Sequence, residues 1–116
     1  MNDANTGNPR SEMFRKLLVR DPDNSMVLCS LGLELFKEDH YEEAREHLQR
    51  AVETKPDYSV AYRALGRSLM ELERYDEARE VFRRGRAVAE ENGDFQTIKE
   101  IDVFSKRLEK RTGREG

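Results

Sequence analysis

The sequence has 116 residues, of which 36% are hydrophobic and 39% are charged, and its formal net charge is −3. This length fits one domain with one core, and the balance of 21 basic and 24 acidic residues gives no global electrostatic case for nucleic-acid binding. Cys29 is the only cysteine, which excludes an internal disulfide and indicates a reducing compartment. The polar start lacks the build of a signal peptide, and no apolar stretch approaches the roughly 18 residues of a membrane span. We therefore expect a soluble, cytoplasmic protein that does not bind membranes.

Residues 1–8 are small and polar, and we expect them to be disordered. A first helix is predicted over 9–20, because Asn8 is a favourable cap and Pro9 fits the first turn, where its missing N–H costs nothing. The helix should end before Asp21, because the residue preceding a proline is driven out of the α region.

A block of sequence then occurs twice, 34 residues apart. The first copy contains Leu31-Gly32-x-x-Leu35 and Tyr41-Glu42-Glu43-Ala44, and the second contains Leu65-Gly66-x-x-Leu69 and Tyr75-Asp76-Glu77-Ala78. A period of this length is typical of stacked helical repeats. Glycine weakens the interior of a helix by about 1 kcal/mol relative to alanine, so its recurrence at 32 and 66 predicts that another helix approaches closely there.

These residues resemble the tetratricopeptide repeat family, whose helix–turn–helix unit carries an L-G-x-x-Y core, a later alanine and a closing proline. The resemblance implies an all-α fold, a right-handed α-solenoid of antiparallel helix pairs with six helices. It implies a single helical domain over 9–111, which divides into a half repeat (9–20), repeat 1 (25–58), repeat 2 (59–92) and a C-terminal capping helix (94–111).

The helix ends and the last helix complete the predicted architecture. Asp39 and Glu42 have the spacing of a capping box, which would start the second helix of repeat 1. Gly93 should end the second helix of repeat 2 in a left-handed conformation, and Asp94 should cap the last helix. That helix lacks the repeat signature but has apolar residues three or four apart, so we expect it to cover the open end of the stack. Residues 112–116 should be frayed.

No arrangement of residues in the sequence indicates catalysis, a cofactor or a metal site. His40 and His47 have no Cys/His cluster at ligand spacing nearby, and no glycine-rich phosphate loop occurs. Carboxylate pairs such as Glu42-Glu43 alternate with basic residues, as on solvated helix faces. We therefore expect a protein that is not an enzyme and needs no cofactor, in which Cys29 is a small, semi-buried apolar residue.

The resemblance also implies a binding surface, because in this family the first helix of each repeat lines a concave groove where partners bind. The family's groove positions are occupied here by Met26, Cys29, Leu33, Phe36 and Lys37 in repeat 1, and by Val60, Arg63, Arg67, Met70 and Glu71 in repeat 2. Helical spacing supports this independently. Leu28, Leu31 and Leu35 already form one buried stripe, which leaves the apolar residues at 26, 29, 33 and 36 as a second face.

Arg63 and Arg67 are four residues apart and project from one side of their helix. Two guanidinium groups one turn apart can bind carboxylates, so a peptide or helix with acidic and apolar residues is the expected partner. The alternative is that both arginines pair with Glu71 or other neighbours and only solvate the surface. A subset of the family clamps the C-terminal carboxylate of heat-shock chaperones. The equivalent positions here carry other residue types, which argues against that partner: Cys29, Leu33, Ala64, Asp94 and Ile98.

A protein–protein interaction scaffold is therefore the expected function. The alternative is a structural protein that assembles as a homodimer through the groove, or through the open end of the stack, where Phe14, Leu17 and Leu18 lack the helix that would normally cover them. Nucleic-acid binding is a third hypothesis, weakened by interleaved acids. It would rest on Arg83, Arg84, Arg86, Lys106, Arg107, Lys110, Arg111 and Arg114.

Overall fold

The computed structural model of the protein describes residues 8–113, and these residues form six α-helices and no β-strand. The helices are α1 (Pro9–Arg20), α2 (Ser25–Lys37), α3 (Tyr41–Thr54), α4 (Ser59–Glu71), α5 (Tyr75–Asn92) and α6 (Phe95–Thr112). The predicted all-α helical repeat is confirmed. The disorder expected at residues 1–7 and the fraying expected at 114–116 lie outside the described residues. None of the described helices has the length and apolarity that crossing a membrane requires.

The helices form two layers. In one layer α4 lies between α2 and α6 and contacts both, and in the other layer α1, α3 and α5 pack against these helices. The pairs α2–α3 and α4–α5 are the two repeats, α1 packs on α2, and α6 packs on both α4 and α5. Within the described residues, α1 thus takes the place of a second helix without its first, and α6 takes the place of a first helix without its second.

Glycines allow the two helices of each repeat to approach closely, as the sequence predicts. A Cβ atom added to Gly32 of α2 would lie 2.5 Å from Cγ of Leu48 in α3. A Cβ added to Gly66 of α4 would collide with the ring of Phe82 in α5. Since real Cβ atoms do not approach so closely, Leu48 and Phe82 can occupy these places only because a glycine faces each of them.

The core runs through both layers and extends into α6. Phe82, Leu31, Leu48, Leu65, Ile101 and Leu108 are among the largest fully buried side chains. Burying a side chain of this size contributes about 1.5–3 kcal/mol. Two of these residues, Ile101 and Leu108, belong to α6, so this helix covers the end of the stack as expected.

The helix ends agree with most of the sequence predictions. Asn8 is ordered, and its Oδ1 accepts a hydrogen bond from the Ser11 amide at 2.9 Å. Asp94 Oδ1 accepts one from the Thr97 amide at 3.1 Å, and Gly93 ends α5 with φ of 69°. Thr112 is also ordered, as the last residue of α6.

The predicted capping box of α3 is wrong. The helix begins one residue later than that motif requires, with His40 as the N-cap residue and no side-chain cap. Asp39 instead follows the end of α2 in a left-handed conformation with φ of 64°. Its carboxylate accepts a hydrogen bond from the Tyr41 hydroxyl at 2.8 Å, so it is turned away from the free amides of α3.

Candidate binding groove

The predicted groove residues lie on α2 and α4, but they differ in exposure. Met26 is 67% exposed, and Lys37 and Glu71 are also exposed. The partly exposed members of the set are Leu33, Phe36, Val60, Arg63 and Arg67. We call the surface of α2, α4 and α6 that carries these side chains the inner surface.

Cys29 and Met70 are almost fully buried, at 2% and 3% exposed, and of the two only Met70 borders the inner surface, in the lining of a small cavity beside Arg67. Cys29 packs in the core beside Tyr58, the residue that precedes α4. Burial raises the pKa of the Cys29 thiol, and burial together with the neighbouring thiol raises the pKa of Tyr58 to about 12. The placement of these two residues on an accessible surface therefore needs correction: both belong to the core.

Helix α6 contributes to the inner surface through three contacts with α4. A hydrogen-bonded ion pair joins Arg63 Nη1 to Glu100 Oε1 at 2.5 Å, and a second joins Arg111 Nη2 to Glu71 Oε2 at 3.2 Å. Between them, the guanidinium of Arg67 lies over the ring of Phe104. The inner surface is therefore built by three helices rather than by two.

Arg63 already has a carboxylate partner, and this partner comes from α6. The amide of Gln96 and then the guanidinium of Arg63 hold the pKa of Glu100 below its ordinary value, against the opposing effect of burial. The expectation that Arg63 and Arg67 form a matched pair for carboxylates of a partner does not fit this geometry. Of these two arginines, only Arg67 lacks a carboxylate partner among the described residues.

Arg67 contacts two aromatic rings. Its guanidinium carbon lies 4.6 Å from the ring centroid of Phe36 in α2 and 4.3 Å from that of Phe104 in α6. Among residues 8–113, it makes no ion pair and no hydrogen bond. Burial, and then the charges of Arg63 and Arg107, lower its pKa from the ordinary value. The aromatic rings stabilise this cation, while its N–H donors have no acceptor among the described residues and can donate to a ligand.

A small cavity of about 20 Å³ lies beside this arginine. We call it the notch, and it is lined by Arg67, Met70, Glu71, Phe104, Arg107 and Arg111. Arg107 also lies over the Phe104 ring, at 5.2 Å, and forms no ion pair in the described chain. With Arg111 paired to Glu71, two guanidinium groups at the notch lack a carboxylate.

The sequence contained a signal for the contribution of α6. Glu100, Phe104, Arg107 and Arg111 recur at intervals of three or four residues, which is the spacing of one helix face. The spacing alone does not show that this stripe faces α4, because the helix lacks the repeat signature and its apolar residues predict only a cap.

A second cavity, of about 370 Å³, lies between α5 and α6. Its apolar floor consists of Phe82, Ile101 and Leu108. Two bidentate ion pairs bridge the helices around it: Arg79 with Glu109 at 2.8 and 3.1 Å, and Arg86 with Asp102 at 2.8 and 3.2 Å. In a longer stack, the second helix of a further repeat would pack at this cavity. In this protein the two ion pairs flank the cavity.

The remaining charged clusters give no sign of another chemistry. Among the described residues, no group of His, Cys, Asp and Glu side chains has the arrangement of a metal site. Arg83 and Arg86, on which a nucleic-acid surface would depend, are paired with Glu80 and with Asp102 and Glu90.

The comparisons with known proteins agree with this geometry. A family model described as "Tetratricopeptide repeat" matches residues 35–100. The chain belongs to the tetratricopeptide repeat family. TPR repeat-containing protein PA0015 of Pseudomonas aeruginosa is 34% identical over 99 residues, which cover 85% of this chain and 94% of that protein.

Solved structures of other tetratricopeptide repeat proteins have the same architecture. Protein BPP2914 of Bordetella parapertussis superimposes with a TM-score of 0.76 at 30% identity, over 99% of this chain and 95% of that one. The TPR2B domain of yeast Sti1, solved in a pHsp70 complex, has a TM-score of 0.83 at 19% identity, over 87% and 81%. The second likeness shows the fold alone.

Proposed function

We propose that this tetratricopeptide repeat protein is a non-enzymatic interaction module that binds a peptide or helix of a partner protein on its inner surface. The observation that carries the proposal is Arg67, a half-buried guanidinium on the central inner helix with no carboxylate from the described chain. The two aromatic rings stabilise the cation, but its N–H donors have no acceptor among the described residues and are available to a carboxylate of a ligand.

The charges of the inner surface support an acidic partner. The α4–α6 seam carries four arginines and two glutamates: Arg63, Arg67, Arg107, Arg111, Glu71 and Glu100. Met26 adds an exposed, adaptable apolar side chain on α2. A peptide that combines acidic and apolar residues would complement both features.

Two structural neighbours, both from yeast Sti1, were solved in complex with pHsp70 and with pHSP90. For this chain we propose a different partner. Of the positions that would clamp a chaperone tail, Cys29 is buried, and the carboxylate of Asp94 is occupied by Ser59 at 2.7 Å and the Thr97 amide. Neither can hold the carboxylate of such a tail. A cytoplasmic location stays a prediction from the sequence.

Selection from a displayed library of random twelve-residue peptides tests the proposal. Met26→Glu should weaken binding of the selected peptides, because it places a negative charge at the edge of the inner surface. Met13→Glu, a matched change at a 49% exposed methionine of α1, should leave binding unchanged. Equal binding by Met26→Glu and the wild type, or loss of binding only in Met13→Glu, would contradict the proposal.

Self-association is the second candidate function, because two apolar side chains of α1 are exposed: Met13 is 49% exposed and Leu17 is 43% exposed. One feature opposes it: Arg10 and Leu17 stand where the 34-residue period places Ala44 and Ala51 of α3, and larger side chains prevent the close packing of a further helix. Light scattering after size exclusion distinguishes the two candidates. A dimer that dissociates in Leu17→Glu would favour self-association over the groove.

A further inference from the structure

Resting on the proposed function, we propose that the notch binds one carboxylate group of the partner, and that Arg67 and Arg107 donate the hydrogen bonds to it. The carboxylate would belong either to an Asp or Glu side chain or to the C-terminus of the peptide. Arg63, which the sequence placed in this role, is a supporting residue occupied by Glu100.

The two rings around Arg67 prepare it for this role. Its guanidinium carbon lies over the ring of Phe36 and over the ring of Phe104, at 4.6 and 4.3 Å from the two centroids. The N–H donors of the guanidinium lie in a planar fork at its edge, and none of them has an acceptor among the described residues. Because the rings already restrict the side chain, less conformational entropy remains to be lost when a ligand binds.

The charges around the notch favour an anion. Arg111 is tied to Glu71 at 3.2 Å, which leaves Arg67 and Arg107 as the uncompensated cations of the lining. Burial is the largest cause of the lowered pKa of Arg67; the charges of Arg63 and Arg107 lower the pKa further, against the opposing effect of Glu71 and Glu100. A bound anion would relieve this repulsion.

The size of the notch and the donors in its lining favour a carboxylate. Its volume of about 20 Å³ fits a single small group, and a planar carboxylate matches the guanidinium fork in a bidentate pair. Glu71 lies in the same lining and would repel an anion of higher charge. Phe104 and Met70 form the apolar part of the lining, so an apolar residue beside the acid would also be buried.

The test uses peptides selected on the intact protein. Each selected peptide is synthesised unchanged, with each acidic residue in turn replaced by its amide, and with an amidated C-terminus. Dissociation constants are measured for the wild type, Arg67→Gln, Arg107→Gln and the control Arg83→Gln. Arg83 is an exposed arginine of α5 outside the inner surface. The exposed Arg107 serves as the second test position if Arg67→Gln does not fold.

We expect removal of one carboxylate to weaken binding to the wild type about ten- to a hundredfold, the range of a hydrogen bond to a charged group. The same change should weaken binding to Arg67→Gln or Arg107→Gln by less than about threefold, whereas Arg83→Gln should behave as the wild type. The affected form shows whether the carboxylate is a side chain or the C-terminus.

Two further outcomes separate this inference from the proposed function. Peptides that depend on Met26 but bind equally well to the wild type and to Arg67→Gln and Arg107→Gln would overturn the carboxylate notch and leave the binding surface in place. Peptides that depend on none of the three residues would overturn both.

Discussion

The guanidinium carbon of Arg67 lies 4.6 Å from the centroid of the Phe36 ring, so a side chain of α4 rests on a side chain of α2. The same guanidinium carbon lies 4.3 Å from the centroid of the Phe104 ring in α6. One stack of three side chains therefore joins all three inner helices, and the shape of the inner surface depends on how α6 is docked.

Replacement of Phe104 should undock α6 in part. Its ring stacks on Phe82 with centroids 6.5 Å apart, and it is only partly buried. We therefore expect Phe104→Ala to lower the free energy of unfolding by about 2–3 kcal/mol, somewhat below the range for a fully buried phenylalanine. Phe95→Ala on the same helix, where the side chain is 70% exposed, should cost less than about 0.5 kcal/mol. Equal losses in urea denaturation would mean that Phe104 is not part of the α6 interface.

The close approach at Gly66 gives a second prediction. Gly66→Ala should destabilise the protein by about 1–2 kcal/mol, because the cost of overpacking against Phe82 exceeds the gain in helix propensity of about 1 kcal/mol. In a Phe82→Leu background the added methyl group has more room, so the same change should cost less or even stabilise. A double-mutant cycle from denaturant unfolding measures this coupling. A cost that is the same in both backgrounds would show that the ring does not cause it.

Cys29 should react slowly with thiol reagents in the folded protein. It is 2% exposed, and burial raises the pKa of its thiol, so little reactive thiolate is present at neutral pH. We expect the modification rate measured with a disulfide reagent to follow unfolding and to rise steeply in denaturant. A rate in native buffer equal to that of the unfolded chain would contradict the buried position.

Asp94 should contribute stability that depends on pH. Hydrogen bonds from Ser59 and Thr97 lower the pKa of its carboxyl below the ordinary value. Its stabilising effect is therefore complete above the unfolded pKa of about 3.9 and is lost as the pH falls through the lower, folded pKa. Asp94→Asn retains an N-cap but no charge, and it should cost about 0.3–1 kcal/mol at pH 7. Thermal unfolding should show this difference from the wild type shrinking below about pH 4; a constant difference would refute it.

The sequence predicted the fold well because packing within a repeat is local. Gly32, Gly66 and their partners repeat at one spacing, and the structure uses them as that spacing indicates. The site was harder to predict. Whether Cys29 faces a groove or the core depends on the angle between neighbouring helices, which a helical period does not contain. The carboxylate partner of Arg63 lies on α6. This helix has no repeat signature, so the sequence does not predict how it packs on α4.

The central claim is that the surface of α2, α4 and α6 binds the partner. Amide chemical-shift changes in an isotope-labelled protein titrated with a selected peptide test it most directly. We expect the largest changes around Arg67, Phe36 and Phe104, and small changes along α1 and α3. Changes concentrated on α1, or in the α5–α6 cavity around Ser105, would contradict the claim.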